Sequence, residues 1–143
     1  MWGRLIPAGL LVLLGACGDA PGTPQALKES EKASHCYQRG ADSLFIRLDL
    51  MGDLVNGTFQ GYSSDSARVR GTLTGAVEDG VVVVLLTYTG ENGERHRQEV
   101  LLRREADGLR IGQGEMVDAE GYILFRDRNQ VHYGSVVPEV ACP

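Results

Sequence analysis

The sequence predicts an all-β domain: a small antiparallel meander of about eight strands, closed into a barrel or left partly open. Three observations carry this. Apolar and polar residues alternate with period two along most of the chain after residue 40, the pattern of a strand with one buried face. Turn dipeptides at hairpin spacing cut that pattern: Gly52-Asp53, Asp79-Gly80, Asn92-Gly93, Asp107-Gly108 and Glu120-Gly121. Nineteen glycines lie mostly between or inside the alternations, where sharply bent strands accept them.

The elements follow in order. Leu44, Ile46, Leu48 and Leu50 alternate with Phe45, Arg47 and Asp49. Gly52-Asp53 turns the chain, and Val55, Gly57, Phe59 and Gly61 return. Asn56-Gly57 is a rival hairpin turn, but using it would cut the return strand short. Ala67, Val69, Gly71 and Leu73 form the next apolar face, and Asp79-Gly80 leads into 81–88. Asn92-Gly93 is the clearest hairpin signal, followed by a strand over 95–104. Asp107-Gly108 leads into 109–117 and Glu120-Gly121 into 122–125, while 131–133 and 136–142 close the chain. Closing such a meander removes both exposed edges. A two-sheet sandwich is the alternative.

The 143 residues make one domain's worth of chain, with 43% hydrophobic and 23% charged residues, a globular balance. The formal charge of -5 argues against nucleic acid as a partner, since phosphate binding rests on clustered Lys and Arg.

The start of the chain has a different character. Arg4 precedes an apolar stretch, 5–14, which ends at Gly15 and Ala16. A bilayer span needs roughly 20 apolar residues, so this stretch reads as a signal peptide over 1–16. Leu14-Gly15-Ala16-Cys17 resembles the lipobox of bacterial lipoproteins. The resemblance implies that Cys17 becomes the first mature residue and carries a diacylglycerol thioether and an N-acyl chain, which together suffice for stable anchoring. It therefore implies a lipid-anchored protein of the bacterial cell envelope. Gly18 stands where inner-membrane retention in enteric bacteria calls for Asp, which favours the outer membrane.

Residues 17–34 then form the lipidated cysteine and a tether. The segment has two prolines, few large apolar residues and a mixed charge cluster, and cannot bury enough to fold alone. A flexible tether of this length spans roughly 20–25 Å. The barrel-like domain is expected over 35–143. Of three cysteines, lipidation of Cys17 leaves Cys36 and Cys142 at the two ends of the domain. In an oxidising envelope they are expected to form a disulfide joining first strand to last.

The domain also resembles small envelope lipoproteins of the Bacteroidetes type. The matching pieces are Cys36-Tyr37, Asp42-Ser43, Gly52-Asp53-Leu54-Val55-Asn56-Gly57, Gly71-Thr72, Gly75, Glu99-Val100, Gly112-Gln113-Gly114 and Cys142. The resemblance implies fold and location and brings no catalytic residues.

Chemistry-bearing constellations are scarce. His35, His96 and His132 have no partners at metal-ligand spacing. No Gly-x-Ser-x-Gly surrounds a serine, and Gly112-Gln113-Gly114 lacks the strand-to-helix setting of a phosphate cradle. Glu115 could point inward, although a barrel mouth or register break there is the preferred reading. The expectation is a protein that is not an enzyme and uses neither metal nor cofactor.

One surface pattern stands out. If Val100 and Leu102 face the core, Arg95, Arg97, Glu99, Leu101 and Arg103 face outward, with Arg68 and Arg70 outward two strands back. Between them 81–86 reads V-V-V-V-L-L, apolar on both faces. Arginine stems can cover such a strip while their heads stay in water. Alternatively, Arg68, Arg70, Arg95, Arg97 and Arg103 form a partner face for an envelope protein or an anionic lipid. The leading expectation is a non-catalytic envelope module for binding or structure, tied to the membrane through lipid on Cys17. A lysozyme-inhibitor-like protein and a lipocalin-like carrier are the alternatives. A lysozyme inhibition assay separates the first of these, and an apolar cavity would mark the second.

Overall fold

The computed structural model describes residues 32–62 and 68–143. The leader, Cys17 and the tether up to residue 31 lie outside the described residues, as do 63–67.

Among the described residues alternation sets eleven strands: β1 (Lys32–Arg39), β2 (Leu44–Met51), β3 (Leu54–Tyr62), β4 (Arg68–Glu78), β5 (Val81–Thr89), β6 (Arg95–Glu105), β7 (Gly108–Gln113), β8 (Met116–Ala119), β9 (Tyr122–Phe125), β10 (His132–Tyr133) and β11 (Val137–Val140). A single 3-10 turn, Arg128–Gln130, precedes β10. The strands β1 to β7 pair consecutively and antiparallel, and β11 bridges β7 back to β1. The result is a closed ring of eight strands, as the alternation predicts. β1 begins at Lys32, so residues 32–34 belong to the sheet and not to the expected tether. They pair with Met51, Leu50 and Asp49, a partnership that composition alone does not reveal.

The turns fall where the dipeptides place them, with differences of geometry. Asp79-Gly80 and Glu120-Gly121 both have positive φ at each central position, the signature of tight I′ hairpins. The Asn92-Gly93 hairpin is longer: the Gly93 amide donates to Gly90 O and the Gly90 amide to Glu94 O. The turn after β6 is centred on Ala106-Asp107, because Gly108 already pairs with Glu105. Asn56-Gly57 is no turn. Gly57 lies within β3 opposite Leu48, and a Cβ there would run into the carbonyl oxygen of Arg47. Glycine lets β2 and β3 approach that closely.

Inward-facing residues form one core. Tyr37, Ile46, Leu48, Val55, Leu73, Val82, Val84, Leu102, Leu109 and Val137 are buried and mutually packed. Their position defines a filled end of the ring, beside the start of β1.

The other end is built differently. β6 and β7 pair only from Leu102–Ile111 to Glu105–Gly108. Beyond Ile111 the two strands part. Gly134 donates its amide to Ile111 O, 3.0 Å, and β10 takes over as the neighbour of β7 through His132–Gln113 and Tyr133–Gly112. On the β6 side, β9 inserts in parallel, Arg97 opposite Tyr122 and Gln98 opposite Ile123. The expected strand over 109–117 is therefore two strands, β7 and β8, broken at Gly114-Glu115. β8 leaves the ring and forms a hairpin with β9.

Candidate functional site

The parting of β6 and β7 opens a cup of about 500 Å³ at that end. Its walls come from successive inward faces: Leu44 of β2, Phe59 of β3, Val69 of β4, Leu86 and Tyr88 of β5, Val100 of β6 and Ile111 of β7. Met116 and Phe125 of the β8–β9 hairpin complete it. The volume and the apolar lining with a few polar groups fit a small-molecule pocket.

The polar groups are few and their states are defined. Gln98 and Gln113 line the cup, and Gln98 Nε2 lies 3.6 Å from Met116 Sδ. Arg39, on the inward face at the end of β1, stands at the rim. Its Nη2 donates to Ser135 Oγ at 2.9 Å and to Ser135 O at 3.1 Å. The Ser43 hydroxyl donates to Arg39 O. Glu99 borders the cup, but its carboxylate is taken: Oε1 accepts from the Phe125 amide at 3.0 Å and Oε2 from Arg128 Nε at 3.0 Å.

A second polar group sits at the filled end. His35 Nδ1 is 2.9 Å from Glu139 Oε2, and Arg104 Nη2 is 3.1 Å from His35 Nε2. Arg104 Nε donates to the Tyr37 hydroxyl, 3.3 Å. Burial pushes the Tyr37 phenol up, with the Glu139 charge adding to it and Arg104 working against it. His96 stacks on Tyr88 with ring centroids 5.0 Å apart, and His132 is exposed. Among the described residues no three His, Cys, Asp or Glu side chains converge as metal ligands.

Compared with known proteins, the chain matches no protein-family model, and no curated protein or solved structure matches it significantly.

The five arginines of the expected partner face have different surroundings. Arg68, Arg70 and Arg95 are exposed, and Arg70 reaches Gln60 Oε1 at 3.4 Å. Arg97 lies over the Tyr122 ring, 5.3 Å from its centroid, and Arg103 over Tyr133 at 4.2 Å. Arg103 lies eight residues from Arg95 on the same strand, about 26 Å away at strand rise. The outward strip of Val81, Val83 and Leu85 is half-buried. Glu99 and Leu101, expected to be exposed, are buried at 6% and 2% accessibility. Arg128 provides part of the cover, binding Glu99 and reaching to 3.9 Å from Glu78. An arginine from the segment after β9 thus joins the cover of Glu99.

Cys36 and Cys142 form a disulfide, Cα–Cα 5.2 Å, joining β1 to the residues just beyond β11. Cys17 lies outside the described residues.

The cup residues Arg39, Gln98, Met116 and Phe125 are not evident from sequence reasoning, whereas Gln113 shares a face with Leu109 and Ile111 beside the expected mouth. Alternation identifies Leu44 and Phe59 as inward-facing but leaves 81–86 apolar on both faces. The break expected at Glu115 falls between β7 and β8, while the parting of β6 from β7 has no sequence signal.

Proposed function

We propose that this protein is a non-catalytic binding module of the bacterial cell envelope, anchored through lipid on Cys17, that takes a small, partly apolar molecule into the cup. One observation carries the reading: the ring is packed with side chains at one end and opens at the other into about 500 Å³ of mostly apolar space. A ring built only as a structural spacer has no use for that space, because filling it would add packing and stability.

The polar groups at the cup favour binding over catalysis. A nucleophile needs a base within hydrogen-bond reach. The Ser43 hydroxyl instead donates to a backbone carbonyl, and Glu99 is held by Arg128 and the Phe125 amide. The cup is also at the end of the ring opposite the start of β1, since Arg39 and Leu44 line it while Lys32 pairs with Met51.

Two measurements test the two halves of the proposal. Cys17→Ala is expected to abolish labelling by radioactive palmitate and release the chain from the membrane fraction; retained labelling would overturn the anchor. Native mass spectrometry of the wild-type chain is expected to show an added small-molecule mass, which Ile111→Trp, filling the cup, removes. The same adduct on both proteins would place the ligand elsewhere.

A further inference from the structure

We infer that the cup is selective for a carboxylate carrying a medium-length alkyl chain, with Arg39 receiving the head group. This rests on the cup being a ligand site and names the class of ligand.

Charge at the rim sets the first condition on a ligand. A guanidinium has five N–H donors. Contacts with Ser135 and with the Val136 carbonyl, 3.4 Å away, occupy Nη2 and dock the group against the segment before β11. Among the described residues nothing engages Nε and Nη1, which leaves them for a ligand. Among the described residues no carboxylate lies within ion-pairing distance of Arg39. Glu99, the carboxylate bordering the cup, is neutralised by Arg128. Among the described residues the cup therefore presents a positive charge at its rim and no free negative charge in its lining.

The remaining surface limits what can accompany the head group. Phe59, Val69, Leu86 and Ile111 offer apolar wall, which favours an alkyl chain over a sugar or a nucleotide. An alkylammonium would meet Arg39 as a like charge. A neutral alcohol of the same length would gain the walls but only an uncharged hydrogen bond, and charge-assisted bonds are roughly twice as strong. Holding the guanidinium in place beforehand lowers the ordering cost of binding.

Decanoate, decanol and decyltrimethylammonium share a chain and differ in charge, so they separate the terms. The full chain, labelled with 13C at methionine methyls and held in nanodiscs, provides a site-specific readout. Met116 lines the cup, and Met51 lies at the β2–β3 turn near the filled end, reporting non-specific partitioning. Decanoate is expected to move the Met116 signal, not Met51, and to bind about tenfold tighter than decanol. Arg39→Gln should bring the two within about twofold while leaving decanol unchanged, and Arg39→Lys should retain part of the preference. An unshifted Met51 signal in each variant confirms the fold.

Equal binding of decanoate and decanol, or a preference that survives Arg39→Gln, overturns the inference and leaves the cup as a binding site. Tighter binding of decyltrimethylammonium does the same. If none of the three moves Met116, both the inference and the proposed cup function fail.

Discussion

Arg128 grips the carboxylate of Glu99 from the segment after β9, its Nε 3.0 Å from Oε2 while the Phe125 amide donates to Oε1. The Glu99 side chain is 7% exposed and that of Arg128 52%. The pair fastens the β9–β10 connection over the outward face of β6, where Leu85 and Glu99 are cross-strand partners.

Removing Arg128 leaves a buried, half-satisfied carboxylate. Arg128→Ala is expected to cost about 2–4 kcal/mol, below the range for a fully buried pair because the arginine is half open to water. Glu99→Leu combined with Arg128→Leu should cost less than Arg128→Ala alone, since no charge is then stranded. Urea unfolding of the three proteins checks the order; a double variant weaker than the single would contradict it.

The disulfide reinforces the weakest part of the ring. β11 joins β1 through two residue pairs and β7 through two, whereas β3 and β4 share nine. Cys36 and Cys142 are 106 residues apart in sequence. In the chain-entropy model a loop of about 100 residues is worth up to ~4.7 kcal/mol, with measured losses of about 2–5 kcal/mol in small secreted domains. Cys142→Ser is expected to lose an amount in that range in guanidinium unfolding. A loss under about 1 kcal/mol would mean that the β11 ladder holds the ring unaided.

Sequence reasoning succeeds in this fold where a rule is local. Val55, Phe59, Val69 and Leu73 alternate with polar neighbours, so strand existence and inward face are both legible. Asp79-Gly80 and Glu120-Gly121 specify tight hairpins for a backbone reason. It fails where the cause is non-local. A mouth or register break at Glu115 is legible, and β7 does end at Gln113, but its setting is not: Gly134 and β10 claim the edge of β7. Glu99 has outward parity but is covered by Phe125 and Arg128, more than twenty positions later. Leu101, also of outward parity, packs beside Gly112. The cup results from these non-local events, which is why Arg39 and Gln98 were not legible.

Stability should fall at both extremes of pH through identifiable groups. The Ser34 hydroxyl donates to Asp49 Oδ1 at 2.6 Å and, with Arg47, holds that carboxyl below its ordinary 3.8. A depressed carboxyl contributes stability above the unfolded value, lost as pH falls through the folded one. Tyr37 is raised above 10.0, so its contribution is complete below pH 10 and is lost as pH rises through the folded value. Asp49→Asn should flatten the stability profile below pH 4, and Tyr37→Phe should flatten it above pH 10. Unchanged slopes in thermal melts across these ranges would remove the assignments.

The neighbours of His35 dictate its neutral tautomer. Arg104 can only donate, so Nε2, 3.1 Å from Arg104 Nη2, must be the bare nitrogen. Nδ1 then carries the hydrogen and donates to Glu139 Oε2, 2.9 Å away. Long-range 1H–15N spectra of the unprotonated ring are expected to show the Nδ1–H form. Arg104→Gln and Glu139→Gln should each weaken that preference. A dominant Nε2–H tautomer in the wild-type chain would contradict the arrangement.

Two glycine substitutions separate close approach from backbone conformation. At Gly57 an added Cβ meets the Arg47 carbonyl oxygen across the β2–β3 ladder, although its backbone is ordinary strand. At Gly80 nothing lies within 4 Å of the added atom, but φ is 81°. Gly57→Ala must push two paired strands apart beside the packed core residues Leu48 and Leu73, an overpacking cost of about 2–3 kcal/mol. Gly80→Ala only strains one exposed turn residue, at about 1 kcal/mol. The midpoint of urea unfolding should therefore drop further for Gly57→Ala than for Gly80→Ala. The reverse order would show that β2 and β3 can separate cheaply, and that the close spacing of the ring at Gly57 is not required for its stability.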